Sequence, residues 1–439
     1  MKRLRSSAWI GLVGLFVGAA VAAGACAAGH NPPPAGTGNA GGGGTGGAGG
    51  AGTGGTGEGG VNLTSSSSGT GGGDVCDPGS VDKDNDADGF TEAQGDCNDC
   101  NKFVNPSAVE VIAEPDEDGG VPVPSDEDCS GKADDLTPAC DEGLVLDSAD
   151  AMDAAKAIGL CKFVKKATWT MADGTPPPVD PTKLANFHLG HGILPKFGLN
   201  NKPQEGARML MLSSGTAREK GDPQSVERTF EKGYSSNAPF GFPKPSPACP
   251  NELPGKPFDA TGVQFEIQVP ANALSLSFDF QFFSYEWPDN ICKAYNDFFN
   301  AIVEPFPMGQ SDGNIAFDVM GNAISVNSGF FDACGCPGNP PGACKVPPGL
   351  PTVATFACSL GKTALVGTPF EKDEGNFNWT NGSTGWLRTT TPVTPGTNFR
   401  IRFVTYDSTD GKVDSTTLID NWRWSGKPGS TETEVIVPK

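Results

Sequence analysis

The chain has 439 residues, enough for two or three folded units, with 31 Lys and Arg against 52 Asp and Glu and a formal net charge of −21. No basic surplus is available to neutralise phosphates, which excludes binding to nucleic acid through its backbone. Thirteen cysteines beside three histidines point to an oxidising compartment rather than the cytosol.

The N-terminus reads as an export signal. Lys2, Arg3 and Arg5 form a positive n-region, and Ala8 to Ala25 then runs 18 residues without a charge and ends in small side chains. That length reaches the lower limit for a membrane span. The run is rich in glycine and alanine, however, and opens into a polar tract, so residues 1–25 are expected to be cleaved as a signal peptide. Val21-Ala-Ala-Gly-Ala-Cys26 resembles the lipobox of bacterial lipoproteins, with Ala23 where such signals usually carry leucine. The resemblance makes Cys26 the expected lipidation site; ordinary cleavage just past it is the alternative. Residues 36–60 hold 16 glycines in 25 positions, followed by Ser65 to Ser68. Such composition buries nothing and behaves as a flexible coil, so residues 26–74 read as a lipid-anchored tether. Gly52-Thr-Gly-Gly-Thr-Gly57 spells a dinucleotide fingerprint without the strand and helix that give those glycines a role.

Residues 75–140 form an acidic segment. Between Asp82 and Glu142 there are 19 acidic and 3 basic residues. Asp82, Asp84, Asp86 and Asp88 alternate strictly before Gly89, the pattern of a loop that converges hard oxygens on calcium and needs a glycine to turn. Aligned from Asp84, the ligand positions fall on Asp84, Asp86, Asp88, the carbonyl of Phe90 and Glu92, with Asp96 beyond. The twelfth position is Gly95, and no amphipathic helices flank the loop, so an EF-hand is not expected. The fuller string adds Gly95-Asp-Cys97-Asn-Asp-Cys100, Asn105-Pro106, Glu110 and Asp126-Glu-Asp-Cys129-Ser-Gly131. It resembles the metal-binding-motif repeats of bacterial surface proteins over residues 82–135. An insert from Pro115 to Pro124 separates the elements and leaves a second loop near Asp126 in question. The alternative is a solvated acidic linker stapled by disulfides, since Cys97 and Cys100 in an exported protein oxidise more often than they hold zinc.

After Cys140 the composition becomes that of a folded domain, residues 141–427, with 428–439 as a tail. Asp147 to Phe163 reads as one helix that Ser148 can cap, with Ala151, Ala154, Ala155, Ile158 and Cys161 on an apolar face. Everything later reads as strand and loop. Val263 to Val269, Leu274 to Phe282 and Phe399 to Phe403 alternate apolar and polar residues between Gly, Pro, Asn and Asp clusters. The predicted fold is mainly β, a β-sandwich or jelly roll with one short N-terminal helix.

Several strings then carry a resemblance. They are Met209 to Ala217, Phe258-Asp-Ala260, Phe278-Asp-Phe-Gln-Phe282-Phe-Ser-Tyr285-Glu-Trp-Pro288, Tyr295-Asn-Asp-Phe298, Thr405-Tyr-Asp407 through Gly411, Asp414-Ser415, and Ile419-Asp-Asn421. This order resembles the choice-of-anchor L family of bacterial surface domains over residues 143–426. The resemblance implies a mostly β, secreted, non-enzymatic domain. In the last strand, period-two alternation sets Asp420 on one face with Leu418, Trp422 and Trp424, a costly setting for an unpaired carboxylate. Glu286, Asn296, Asp297, Asp407 and Asp414 are candidate co-ligands for a second calcium with Asp420; pairing of Asp420 with Arg400 or Arg402, or with turn amides, is the alternative.

His188-Leu-Gly-His191 lacks the Glu of a zinc-protease motif and sits among loop formers, so a structural role is expected. The resulting expectation is a secreted, lipid-anchored bacterial cell-surface protein without catalysis. It would contact the membrane through lipid, and surface glycans or matrix proteins through the sandwich. A glycan-binding module carrying Trp287, Trp379 and Trp386 is one alternative. A glycoside-active enzyme using Glu286 and Asp297 is a weaker one.

Overall fold

The three alternating runs become the long central strands of two packed antiparallel sheets. The computed structural model describes residues 80–112, 120, 123–331, 333–334, 360, 362–371 and 381–439. The expected signal peptide, Cys26, the glycine tether, Trp379 and most of the Cys334 to Cys344 loop lie outside them. In chain order the elements begin with a 3-10 turn at Glu92–Gln94, then α1 (Ala151–Ala157), β1 (Val164–Thr170), α2 (Pro181–Leu189), β2 (His191–Leu194) and β3 (Met209–Ser213). There follow β4 (Pro257–Gln268), β5 (Ser275–Ser284), β6 (Phe298–Glu304), β7 (Ile324–Ser325), β8 (Ala333–Cys334) and β9 (Gly382–Ser383). The chain closes with β10 (Leu387–Pro392), β11 (Asn398–Ser408), β12 (Ser415–Ser425) and β13 (Glu432–Val435).

One sheet has the order β1-β4-β11-β6-β7; the other runs β13-β10-β5-β12-β3-β2, with β9 on β5 and β8 on β9. The core between them takes Val263, Phe265 and Ile267 from β4, Leu276, Phe278, Phe280 and Phe282 from β5, and Phe399, Ile401 and Phe403 from β11. Rings interlock across the gap: Phe278 meets Phe403 at 4.8 Å and Phe280 meets Phe299 at 4.9 Å between centroids. Half-buried strands were the expectation, yet β5 and β12 are buried on both faces. Phe197, Phe370 and Trp386 cover Phe283, Tyr285 and Leu418 on the outside of the second sheet. Phe242 does the same for Phe298 and Tyr406 on the first. The length that exceeds an ordinary sandwich is spent on these coverings.

Several expectations are corrected. The N-cap of α1 is Asp150, whose carboxylate accepts from the Met152 amide at 2.9 Å; the Ser148 hydroxyl instead donates to Asp153. The helix stops at Ala157, because Gly159 turns the chain at a φ of +84° toward β1. A second helix, α2, stands where only strand and loop were expected. Asp180 caps it through the Thr182 and Lys183 amides at 3.0 Å each, and Pro181 fills its first position. His188 and His191 therefore lie at the end of α2 and the start of β2 rather than in a loop. The supposed tail supplies β13, which pairs with β10.

Among its described residues the acidic segment holds one regular element, the 3-10 turn, and is tied down at several points. Cys97–Cys129 closes it, and Cys140–Cys161 joins the following linker to the end of the α1 region. Asn272 exchanges two hydrogen bonds with the backbone of Val109, at 2.9 and 2.7 Å, and Lys162 pairs with Asp128 at 3.1 Å. Cys249–Cys292 staples two loops of the sandwich.

Candidate metal centres

The first loop is built on its own backbone. Asp84 accepts from the amides of Ala87, Asp88 and Gly89 at 2.7, 3.2 and 3.0 Å, and Asp86 and Asp88 accept from the amides two residues on. This curls the chain so that Ala87 and Gly89 take positive φ, 64° and 98°. Asn105 donates to Asp88 at 2.7 Å and fixes its outer oxygen. Two acidic sets result, Asp84 with Asp86 and Asp99, and Asp86 with Asp88 and Asp96; within each the ligand oxygens lie within 4.8 Å of one another. Asp96 is only 4% exposed, and one oxygen each of Asp86 and Asp96 is buried without a hydrogen-bond partner. Burial, then the neighbouring Asp88, Asp96 and Asp84, pushes Asp86 up to about 6. Burial is also the main cause that raises Asp96. Of the residues expected here, Asp84, Asp86, Asp88 and Asp96 come together. Asp82 is exposed and joins neither set, and Glu92 sits on the 3-10 turn outside both. Asp99 was missed as a ligand although it stands in the same string.

A second loop repeats the geometry. Asp126 accepts from the Ser130 and Gly131 amides at 2.9 and 2.8 Å, as Asp84 does from Asp88 and Gly89. Around it Glu110 converges with Asp128 and Asp135, and again with Glu127 and Asp134. Burial, with Glu127 and Asp128 adding repulsion, pushes Glu110 up to about 7. The insert at Pro115 to Pro124 hid this set by separating Glu110 from its partners in sequence. Among the described residues, sets of three converging acids of this tightness all lie in the acidic segment.

The sandwich carries a different cluster, at the end where β5 and β6 meet the last two long strands. Glu286 lies just past β5, Asn296 and Asp297 just before β6, Asp407 near the end of β11 and Asp414 just before β12. All five are buried, Asn296, Asp297 and Asp407 completely. Asp297 accepts from the Ser408 amide at 3.2 Å and the Ser415 hydroxyl at 2.7 Å; Glu286 accepts from the Asp297 amide at 3.2 Å. Neither oxygen of Asp407 and neither polar atom of the Asn296 side chain has a hydrogen-bond partner in direct geometry. Asp407 and Asp297 nevertheless stand close enough for their carboxylates to act on one another. Burial first, then mutual repulsion, holds Glu286, Asp297 and Asp407 well above the usual carboxylate range. Asp414 is better served: its carboxylate faces the Phe230 amide at 3.0 and 3.2 Å, and it is pushed up to about 7, chiefly by burial.

Beside this cluster lies Lys232, fully buried, its ammonium donating to Ser213 O, Asp259 O and Thr261 Oγ1 at 2.7, 2.9 and 2.6 Å. Burial lowers it to about 8 against the pull of Asp259, Asp407 and Asp414. Nothing in its sequence neighbourhood signals this. Two glycines in the recognised strings gain a reason. A Cβ at Gly215 would run into the Asp414 carboxylate, and one at Gly411 would stand 2.6 Å from an Asp259 oxygen.

Asp420 does not join the cluster. A bulge between Asp420 and Arg423, with Asn421 at a φ of 54°, breaks the expected alternation. Leu418 consequently faces the outer cluster and Trp422 the inner core. Asp420 accepts from the Gln204, Glu205 and Asn421 amides, while Arg400 pairs with Glu304 and Arg402 bonds Gln264. The turn-amide alternative is the one realised, and burial, partly offset by these amides, pushes Asp420 up to about 8.

The aromatic and carboxylate candidates are likewise located. Trp287 and Trp386 are buried, 1% and 3% exposed, and present no face to solvent. Glu286 and Asp297 are enclosed with them, 2% and 0% exposed among the described residues. A cleft of about 350 Å³ does lie between the acidic segment and β12, lined among others by Phe163, Trp424, Glu110, Glu205 and Lys427. His188 Nδ1 and His191 Nε2 are 2.9 Å apart, and the buried His191 ring stacks on Trp169 at 3.8 Å.

Residues 196–422 match the family model described as Choice-of-anchor L domain. The match contains Glu286, Asn296, Asp297, Asp407, Asp414 and Lys232 and stops short of the acidic segment. No curated protein matches the chain.

Proposed function

The chain belongs to the Choice-of-anchor L domain family, a family of bacterial surface domains, and from that membership we propose a lipid-anchored cell-surface module whose acidic segment is organised by calcium. In this reading Cys26 carries the lipid, the glycine tether sets the folded part off the membrane, and the sandwich serves adhesion or matrix contact without catalysis. The observation that carries the calcium reading is the pair of adjoining sets, Asp84 with Asp86 and Asp99 and Asp86 with Asp88 and Asp96, in which Asp96 is 4% exposed and has an unpartnered oxygen. Calcium prefers six to eight such oxygens and tolerates irregular loops.

Calorimetric titration of the full chain with calcium tests this reading. Saturable binding in the micromolar to millimolar range, abolished for the first loop by Asp84→Asn with Asp86→Asn, is expected; heat unchanged by that pair of substitutions would refute it. Labelled fatty acid incorporated by the wild type and not by Cys26→Ser tests the anchor.

A glycan-binding reading has one specific support, the half-buried Trp424 at the cleft between the acidic segment and β12. Sugars stack on such rings, and Arg423, Glu205 and Lys427 offer polar partners beside it. Glycan-array binding of the full chain that disappears in Trp424→Ala would favour it.

A further inference from the structure

We propose that Asp297, Asp407 and Asn296, with Glu286 beside them, hold a buried divalent cation inside the sandwich, of the oxygen-preferring class to which calcium belongs. This goes beyond the acidic segment and does not depend on it.

Removing a carboxylate from water without a partner is so unfavourable that buried acids are paired, hydrogen-bonded or bound to metal. Asp414 and Asp259 meet that condition through backbone amides. Asp407 is 0% exposed and neither oxygen makes a well-formed hydrogen bond; the Ser214 hydroxyl and the Asp297 carboxyl are the polar groups beside it, and neither carries a positive charge. Among the described residues no lysine or arginine pairs with Glu286, Asp297 or Asp407. Lys232, the nearby cation, spends its three donors on two carbonyls and a hydroxyl.

Independently, Asn296 is 0% exposed and its carboxamide oxygen also lacks a partner. A proton shared between Asp297 and Asp407 would quiet one oxygen of the pair and leave Asn296 as it stands. A divalent cation between Asp297 and Asp407, with the Asn296 oxygen drawn from the residue next to Asp297, would serve these oxygens together. It also reduces the charge imbalance: Lys232 alone faces five buried carboxyls, Asp259, Glu286, Asp297, Asp407 and Asp414, and a doubly charged ion adds two positive charges to its one.

The donors come from both sheets, since the segment after β5 brings Glu286 and the β6 and β11 ends bring the rest. The ion would therefore clamp the two sheets at one end of the sandwich. An all-oxygen donor set with no histidine or thiolate selects hard cations over zinc or copper.

The test counts metal in the full chain. Protein purified in calcium and desalted is assayed for calcium, magnesium and manganese, alongside Asp407→Asn and the Asp84→Asn, Asp86→Asn pair. Asp407→Asn is expected to lose one divalent equivalent that the acidic-loop variant retains. Its sandwich melting transition in calcium should fall below that of the wild type in calcium, as the wild type's should when EDTA is added. In a cluster holding only protons, Asp407→Asn removes a repelling carboxylate, so an unchanged or raised melting temperature with unchanged metal content would overturn the proposal. Should Asp407→Asn fail to fold, Asn296→Ala is read by the same two measurements. Loss of metal from the acidic-loop variant alone would instead speak to the surface loops, leaving the two sites distinguishable.

Discussion

In the acidic segment, Asp84, Asp86 and Asp88 meet because one short loop wraps them round its own amides, whereas Glu286, Asp297 and Asp407 meet only after β5, β6 and β11 have packed. The first gathering is local, partly solvated and closed by Cys97–Cys129. The second is buried, spans more than a hundred residues of sequence, and carries its unpartnered oxygens in the interior. The contrast teaches that carboxylates become a candidate cation site by two routes, loop chemistry or tertiary burial, and that the routes should fail under different perturbations.

The largest expected effect separates them by attacking the packing. Phe278→Ala empties a ring that bridges the sheets and should cost about 3–5 kcal/mol in urea denaturation. A loss below about 1 kcal/mol would mean the two sheets do not depend on that interlock. Cutting the local closure is expected to do less, about 2–4 kcal/mol, and elsewhere. Cys97→Ala with Cys129→Ala should weaken calcium binding by the acidic segment while the main melting transition of the sandwich stays in place.

A smaller effect belongs to the sandwich alone. Burial, with His188, Arg218 and Lys232 nearby, holds His191 well below its ordinary value. The folded state thus binds its proton less readily than the unfolded chain does. The stability it contributes is fully present above the unfolded value of about 6.5 and is lost as pH falls, by about 1.4 kcal/mol per pH unit until the folded value is reached. Stability curves from pH 7.5 to 5 for the wild type and His191→Gln should diverge with that sign, and parallel curves would contradict it. The smallest effect is at the surface: Arg400→Ala breaks an exposed pair with Glu304 and should change stability by less than about 1 kcal/mol.

Legibility in the sequence followed the same division. Strict alternation in Val263 to Val269 and Leu274 to Phe282 gave the central strands, and alternating aspartates before Gly89 gave the first loop, because both patterns are local. The helix α2 was legible in Asp180-Pro181 and was passed over for want of a strong apolar stripe. The bulge after Asp420 was not legible, since period-two counting has no sign for an inserted residue. Nor was Lys232: its partners Ser213, Asp259 and Thr261 are set by strand pairing, which spacing along the chain does not reveal. Glu286, Asn296, Asp297, Asp407 and Asp414 were nominated from the sequence as co-ligands of Asp420; packing joins those five and leaves Asp420 on its own turn.

Hydrogen exchange on the full chain, with calcium and then with EDTA, reads both regions in one experiment. Calcium should slow exchange at the amides of Ala87 to Phe90 in the loop and, separately, at Asp297 and Ser408 in the sandwich, with Asp407→Asn abolishing only the second. Identical exchange in calcium and EDTA at both places would contradict that expectation.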